Sequence, residues 1–343
     1  MIGILPGNRI SYIDHLVPLC QIMGIPILVT DKWIKTLIEL YYPPMEILYR
    51  EPDNYCFEEE LSPYHAFFYV DHYRLPHQGF QFAEYFSSHK RRSVYSLHGN
   101  SDKNRNTYWI EGLADEDVVL LYGPQMIDFL KEKGVDKRIE HLIVCGNYRL
   151  QFYRKHQSFF DAKIRLPKKE KTILYAPTWT STNLKSQRRF DYSSFFDVAH
   201  WVMESVPENY QLIVKLHPHL VFLLPEAVEK IKEQYPHIYF LDDFPLIYPL
   251  LRHVDIYLGD NSSIGYDFLY FKRPMFFLNH CRSTFLSQCG LTLEEKDFPK
   301  LYEKLQEDRA VSGVQQDVYA YAFGKDKPLD ILKQEIEEAV VAH

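Results

Sequence analysis

The amino-acid sequence predicts an α/β chain of two Rossmann-like domains, each a doubly wound parallel sheet, facing a central cleft. Three observations predict this. The 343 residues exceed one ordinary core and suit two domains of about 150 residues each. Short β-rich runs alternate with helical patterns along most of the chain, which is the rhythm of βαβ units. Most of those runs are continuously apolar, as strands buried on both faces of a parallel sheet must be.

In the first half the runs are Ile2–Leu5, Ile25–Thr30, Glu46–Tyr49, Ala66–Asp71, Val94–Leu97, Val118–Leu121 and Leu142–Cys145. In the second they are Thr172–Ala176, Gln211–Leu216, Ile238–Leu241, Asp255–Leu258 and Met275–Leu278. Helical spacing marks Pro124–Lys133, Phe195–Glu204 and Val221–Gln234 between them. After Cys145-Gly146-Asn147 comes a polar, basic segment ending in Arg165-Leu166-Pro167-Lys168-Lys169-Glu170-Lys171, and then a new buried strand. The expected division is a first domain over 1–155, a linker over 156–171 and a second domain over 172–325. A terminal helix over 326–343 is expected to pack back across the lobes.

The net charge of -7, from 39 Lys and Arg against 46 Asp and Glu, argues against a nucleic-acid partner, whose binding needs many cations. Basic clusters at Lys90-Arg91-Arg92, Lys168-Lys169 and Arg188-Arg189 read as solvated surface, with the first as the candidate membrane contact. The 26 Tyr and 23 Phe sit mainly in apolar runs and read as core before they read as stacking platforms. Five scattered cysteines without a Cys-x-x-Cys pair read as reduced thiols of a cytoplasmic protein. No apolar stretch reaches bilayer length, and the N-terminal run lacks the basic start of a signal peptide. The protein is expected to work in the cytoplasm, on a dissolved substrate or at the inner face of the membrane.

Four strand ends carry the candidate chemistry. In Leu258-Gly259-Asp260-Asn261-Ser262-Ser263 a buried strand stops and a helix starts with a serine as its cap. Such a start offers free N–H groups and hydroxyls to an anion, although ordinary capping reads these residues equally well. Lys215-Leu216-His217-Pro218 delivers Lys215 and His217 to a strand end that Pro218 stops. Tyr175-Ala176-Pro177-Thr178-Trp179 runs a strand into a hydroxyl-bearing loop, and Ser96-Leu97-His98-Gly99-Asn100 places a histidine before a permissive glycine. Taken singly, a structural role fits each of the last two as well. There is no Cys/His metal spacing, no Walker A loop and no Gly-x-Ser-x-Gly elbow, and Asp115-Glu116-Asp117 reads as a solvated turn.

Together these motifs resemble the CDP-glycerol glycerophosphotransferase family of teichoic-acid synthesis. Tyr175-Ala176-Pro177-Thr178-Trp179 is similar to the family's Tyr-Ala-Pro-Thr-Trp motif, and Lys215-Leu216-His217-Pro218 to its basic-x-His-Pro motif. Gly259-Asp260-Asn261-Ser262-Ser263 resembles its Asp-Tyr-Ser-Ser block. Tyr266-Asp267-Phe268 and Lys272-Arg273-Pro274 resemble the Phe-Asp and Lys-x-Pro elements downstream of that block. Leu97-His98-Gly99 stands where the family has Trp-His-Gly-Thr. The resemblance covers roughly residues 94–278. Thr180 replaces an arginine of the family pattern, Asn100 a threonine and Asn261 a tyrosine, while Gly146-Asn147-Tyr148-Arg149 is a reduced form of another motif.

The resemblance implies a GT-B-like fold and transfer of a polyol phosphate from a CDP-alcohol to an acceptor hydroxyl, with CMP leaving. It implies His98 as general base, with Gly99 and Asn100 on the acceptor side. His217 would act on the departing phosphate, and Ser262, Ser263, Thr178 and Lys215 would hold the donor pyrophosphate. Asp267 and Asp260 would meet the nucleotide or alcohol. No cofactor and no metal are expected; the partners are the nucleotide-diphosphate donor and a lipid-linked or polymer acceptor. Two alternatives stand beside this: a GT-B glycosyltransferase using a nucleotide sugar, and a non-catalytic nucleotide-binding scaffold.

Overall fold

Two parallel sheets organise the protein, and each is built from strands with almost no polar side chain to show to water. The computed structural model describes residues 1–51, 61–71, 91–102, 109–167, 169–182, 189–191, 193–278, 285–307 and 312–341. Lys90, Lys168, Arg188, Cys56 and Cys281 lie outside the described residues. The chain divides into two units. The first holds Met1–Asn100, Asn104–Lys163 and Tyr321–His343; the second holds Ser101–Lys103 and Ile164–Ala320.

The first unit carries seven strands: β1 (Ile2–Leu5), β2 (Ile27–Val29), β3 (Ile47–Tyr49), β4 (Ala66–Tyr69), β5 (Arg92–Ser96), β6 (Val118–Leu121) and β7 (His141–Val144). All pairs are parallel, in the order β3-β2-β1-β4-β5-β6-β7. The helix Ile10–Met23 comes after β1 and ends at Gly24, whose φ of 70° is the left-handed stop a glycine adopts without strain. The helix Lys32–Tyr41 starts on Asp31, whose carboxylate accepts from the Trp33 and Ile34 amides at 2.8 and 3.0 Å. Phe67 and Phe68 on β4 are wholly buried, each burial contributing about 1.5–3 kcal/mol.

The second unit carries β8 (Lys171–Ala176), the hairpin β9 (Thr180–Thr182) and β10 (Arg189–Asp191), then β11 (Tyr210–Val214), β12 (Tyr239–Phe240), β13 (Ile256–Gly259), β14 (Met275–Leu278) and β15 (Leu291–Leu293). Its main sheet is parallel with the order β12-β11-β8-β13-β14-β15. The core on one face joins Ile173, Tyr175 and Val214 to Phe195, Val198 and Val202 of the helix Phe195–Met203.

The two parallel α/β sheets match the fold class expected from sequence, but several details differ. The segment expected to be a linker contains the helix Gln157–Asp161, because Phe160 packs its ring against Tyr42, Phe152 and Tyr153. The last helix, Leu329–Val341, does not cross to the second unit. Its single apolar stripe of Leu332, Ile336, Ala339 and Val340 covers one surface, made by the helices Ile10–Met23 and Tyr148–Lys155 and by β6 and β7. The second unit also ends at Ala320 rather than 325. Beyond that point Tyr321 donates to Asp128 at 2.9 Å, Asn100 donates to the Ala322 carbonyl at 2.7 Å, and Phe323 meets the Tyr122 ring edge-on. The helix expected over Val221–Gln234 is broken into Pro218–Leu223 and Pro225–Gln234, since Pro225 lacks the N–H that would continue the first.

Charge is also spent differently from the sequence reading. Arg91 and Arg92 are buried, so they do not form the solvated cluster or membrane contact expected of them. Arg92 donates to Asp117 at 3.1 Å and Glu140 at 2.9 Å, and the Arg91 guanidinium lies 6.0 Å from the Phe67 ring centre. Asp115-Glu116-Asp117 is not a solvated turn either. Glu116 is buried and accepts from the Tyr69 hydroxyl, and Asp117 accepts from the Ser93 amide and hydroxyl at 2.8 and 3.0 Å. Cys20, Cys145 and Cys289 are free and buried, and burial pushes the Cys145 thiol up to about 12, which leaves it an inert core group.

Candidate active site

In the second unit the sheet order reverses at β8, whose neighbours are β11 and β13. Ligands of open parallel sheets bind at the strand C-termini beside such a reversal. Three of the motif loops leave from there: Pro177–Trp179 after β8, Lys215–His219 after β11 and Asp260–Ser263 after β13. Asp260 ties two connections together. Its fully buried carboxylate accepts from the Thr178 amide and the Ser194 amide, both at 2.8 Å, and from the Ser194 hydroxyl at 2.9 Å. The Tyr175 phenol meets the same Ser194 hydroxyl at 2.9 Å. Burial, and then the Asp260 charge, push that phenol well above its ordinary range, so it stays a neutral hydroxyl.

The roles expected for Asp260 and Lys215 shift accordingly. Asp260 spends both oxygens on the loops and braces the site rather than meeting the nucleotide. Lys215 is buried and its ammonium donates to the Phe244 carbonyl at 2.6 Å. Asp267 is likewise buried, accepting from the Tyr248 hydroxyl at 2.7 Å. Thr178 lends its backbone amide to Asp260. Each of these groups holds its loop in place.

Ser262 is the residue before the short helix Ser263–Phe268, yet its side chain makes no capping bond. The expected serine cap is therefore present by position only. Asn261 beside it is 4% exposed, and its Oδ1 has no hydrogen-bond partner among the described residues. A buried acceptor left unpaired costs about 1–3 kcal/mol, so this turn holds unused polar capacity. The helix has only six residues, which makes local N–H groups and hydroxyls, not a long dipole, the means of holding an anion here.

His217 is half-buried, and its Nδ1 accepts from the His219 amide at 3.1 Å. An accepting Nδ1 carries no proton, so the neutral ring bears its hydrogen on Nε2 and is a donor there. His219 stands edge-on to Trp179 with ring centres 5.8 Å apart.

The first unit presents the complementary tautomer. His98 lies just past β5, and its Nδ1 is 2.6 Å from the Val70 carbonyl. A carbonyl only accepts, so Nδ1 carries the proton and Nε2 is the basic nitrogen. The ring rests on Tyr12 with centres 4.7 Å apart. Gly99 has φ 128°, a backbone open to glycine and strained for other residues. Asn100 is buried on the Ala322 carbonyl, which fixes the loop rather than offering its side chain to a ligand.

Sequence reasoning missed Ser194, Asn261, Val70 and Tyr12. Ser193-Ser194 before an apolar helix was readable as a cap signal, but the Ser194 side chain serves Asp260 instead. Val70 acts through its backbone, which no residue type announces.

Comparison with known proteins bears on both units. Residues 151–302 match the family model for CDP-Glycerol:Poly(glycerophosphate) glycerophosphotransferase. The teichoic acid poly(glycerol phosphate) polymerase of Bacillus subtilis is 28% identical over 123 residues, 35% of this chain and 15% of the relative. The teichoic acid glycerol-phosphate primase of Bacillus spizizenii is 28% identical over 138 residues, 40% of this chain and 33% of the relative. The matches thus span a third or less of these relatives' own length. Among solved structures, the wall teichoic acid polymerase TagF aligns with TM-score 0.66 at 14% identity, covering 99% of this chain and 88% of that one. The UDP-GlcNAc 2-epimerase of Methanocaldococcus jannaschii aligns with TM-score 0.56 at 13% identity, covering 98% and 99%. These likenesses show a GT-B-like fold. Residues 151–302, which carry the Tyr175, His217 and Ser262 motifs, therefore place this chain with the CDP-Glycerol:Poly(glycerophosphate) glycerophosphotransferase family that those motifs resemble.

Proposed function

We propose that the protein is a transferase that moves a glycerol-phosphate-like group from a CDP-alcohol to an acceptor hydroxyl in wall or capsule polymer synthesis. The acceptor oxygen attacks the phosphorus that bears the alcohol. The bond from that phosphorus to the bridging oxygen breaks, and CMP leaves. His98 Nε2 takes the hydroxyl proton, and the observation that carries this role is its Nδ1 contact with the Val70 carbonyl, which puts the basic lone pair on the outer nitrogen. On the donor side, His217 Nε2–H and the Ser262 and Ser263 hydroxyls meet developing phosphate charge. Asn261 Oδ1 accepts from a donor hydroxyl.

The reaction uses no resident metal in this reading, because fixed N–H and O–H donors take the electrostatic task. Exhaustive chelation is expected to leave turnover intact. The acceptor is lipid-linked or polymeric, so the protein works on the cytoplasmic side and visits the membrane face. Among the described residues no helix is long and apolar enough to cross a membrane.

The deciding experiment incubates purified protein with CDP-glycerol or CDP-ribitol and a wall-polymer acceptor, tracking CMP release and the new phosphodiester by phosphorus NMR. Release of UDP from a nucleotide sugar, with no CMP from either CDP-alcohol, would overturn the proposal in favour of glycosyl transfer.

A further inference from the structure

The first unit has its own reversal of strand order. From β1 the chain proceeds to β2 on one side, and from β4 it proceeds to β5 on the other. A hollow of about 330 Å³, counting the space open to solvent, lies at the C-terminal ends of β1 and β4. Its walls are Ile4, Leu5 and Pro6 from the end of β1, Tyr69, Val70 and Asp71 from the end of β4, and Tyr12. Two of these residues are the ones that hold His98: Val70 through its carbonyl and Tyr12 through its ring. The imidazole is thus fixed by the walls of the hollow.

Asp71 supplies the carboxylate in this lining. Its Oδ1 accepts from the Tyr12 hydroxyl at 3.3 Å, and its Oδ2 lies 3.8 Å from Arg9 Nε. The side chain is 21% exposed, so it is steered from two sides and still reachable by a ligand. An ionised carboxylate is acceptor-only: it takes hydroxyl protons and repels phosphate oxygens. Hydrocarbon from Ile4, Leu5 and Pro6 lies around it, suited to the carbon skeleton of a small polyol.

We propose that this hollow binds the uncharged diol end of the acceptor. Asp71 accepts a hydrogen bond from one hydroxyl, which orients the neighbouring hydroxyl toward His98. The Tyr12 phenol holds the carboxylate in place. This rests on the reading of His98 as the base, and it adds a specificity: acceptors ending in a free vicinal diol are taken, and acceptors ending in a phosphate are refused.

The test uses the full chain and glycerophosphoglycerol, a dissolved probe with diol ends. Calorimetry measures its affinity for wild type, Asp71→Asn and Tyr12→Phe, with CDP-glycerol affinity as the check that the protein is folded. Loss of a hydrogen bond to a charged group predicts at least about tenfold weaker probe binding for Asp71→Asn. Tyr12→Phe keeps the ring under His98 and is expected to weaken the probe by only about threefold, the size of a neutral hydrogen bond acting at one remove. CDP-glycerol affinity is expected to stay at wild-type level in both. Equal probe affinity in wild type and Asp71→Asn, or no probe binding to wild type at millimolar concentration, overturns the proposal. If the probe pattern holds but no CDP-alcohol yields CMP, the transferase reading fails and the diol site stands. If CMP is released and Asp71→Asn keeps the wild-type KM for the acceptor, the diol site fails and the reaction stands.

Discussion

Removing the Asp260 carboxylate is expected to loosen the donor side more than any other single change in the second unit. Asp260 satisfies two buried backbone amides, Thr178 and Ser194, each at 2.8 Å. In Asp260→Ala both are orphaned where water does not reach, since Thr178 and Ser194 are fully buried. Each orphaned donor costs about 1–3 kcal/mol, a central value of about 4 kcal/mol for the pair. The Ser194 hydroxyl adds little, because Tyr175 already stands 2.9 Å from it. For a unit of this size each kcal/mol moves Tm by about 2–4 °C, so the expected fall is about 8–16 °C. Asp260→Asn keeps one acceptor oxygen and should fall by about half as much. Differential scanning calorimetry measures both, and CDP-glycerol titration reads the accompanying loss of affinity as the Thr178 loop drifts. A Tm for Asp260→Ala within about 2 °C of wild type would show that the carboxylate does not clamp these loops.

Three further outcomes rest on the same geometry. His98→Ala should cut CMP release by about 10²–10⁴-fold, the usual span for a general base, while calorimetry finds donor affinity unchanged; unaltered turnover would remove His98 from the mechanism. The pair Ser262→Ala with Ser263→Ala should weaken CDP-glycerol binding by about 1.5–3 kcal/mol for each hydroxyl bond to charged phosphate, and wild-type affinity would show that the hydroxyls do not touch it. His15 is buried with its Nδ1 2.7 Å from the Tyr122 hydroxyl, and desolvation, then Arg149 and His98, hold its pKa well below 6.5. The unfolded chain therefore binds the extra proton first, so first-unit stability is full above about pH 6.5 and falls as pH drops below it. Urea unfolding from pH 7.5 to 5 should show that slope, and His15→Gln should flatten it.

The parallel sheets were legible because a strand buried on both faces must be apolar throughout, and Ile2–Leu5, Val118–Leu121 and Met275–Leu278 are strands over just those residues. Strand-end motifs were legible for the same reason: a polar residue directly after such a run stands out. What a charge does there was not legible. Asp260 and Lys215 sit at expected positions yet spend themselves on backbone groups from loops distant in sequence, and Arg92 finds Asp117 and Glu140 in the same way. Pairings of this kind depend on which loops the fold brings together, and spacing along the chain does not carry that information. The same holds for the diol hollow, whose Asp71 ends an apolar run but gains its meaning from Tyr12 and Val70.

The division of the chain has a consequence for synthesis. The first unit is completed by Tyr321–His343, while Ile164–Ala320 between its parts makes up nearly all of the second. On the ribosome the second unit emerges whole before residues beyond 320 appear. Its sheet can close while the first unit still lacks the helix Leu329–Val341 that covers β6 and β7. Folding during translation should therefore finish in the reverse of sequence order. A nascent chain stalled just past residue 320 should carry a protease-resistant second unit and a first unit that is still cleaved.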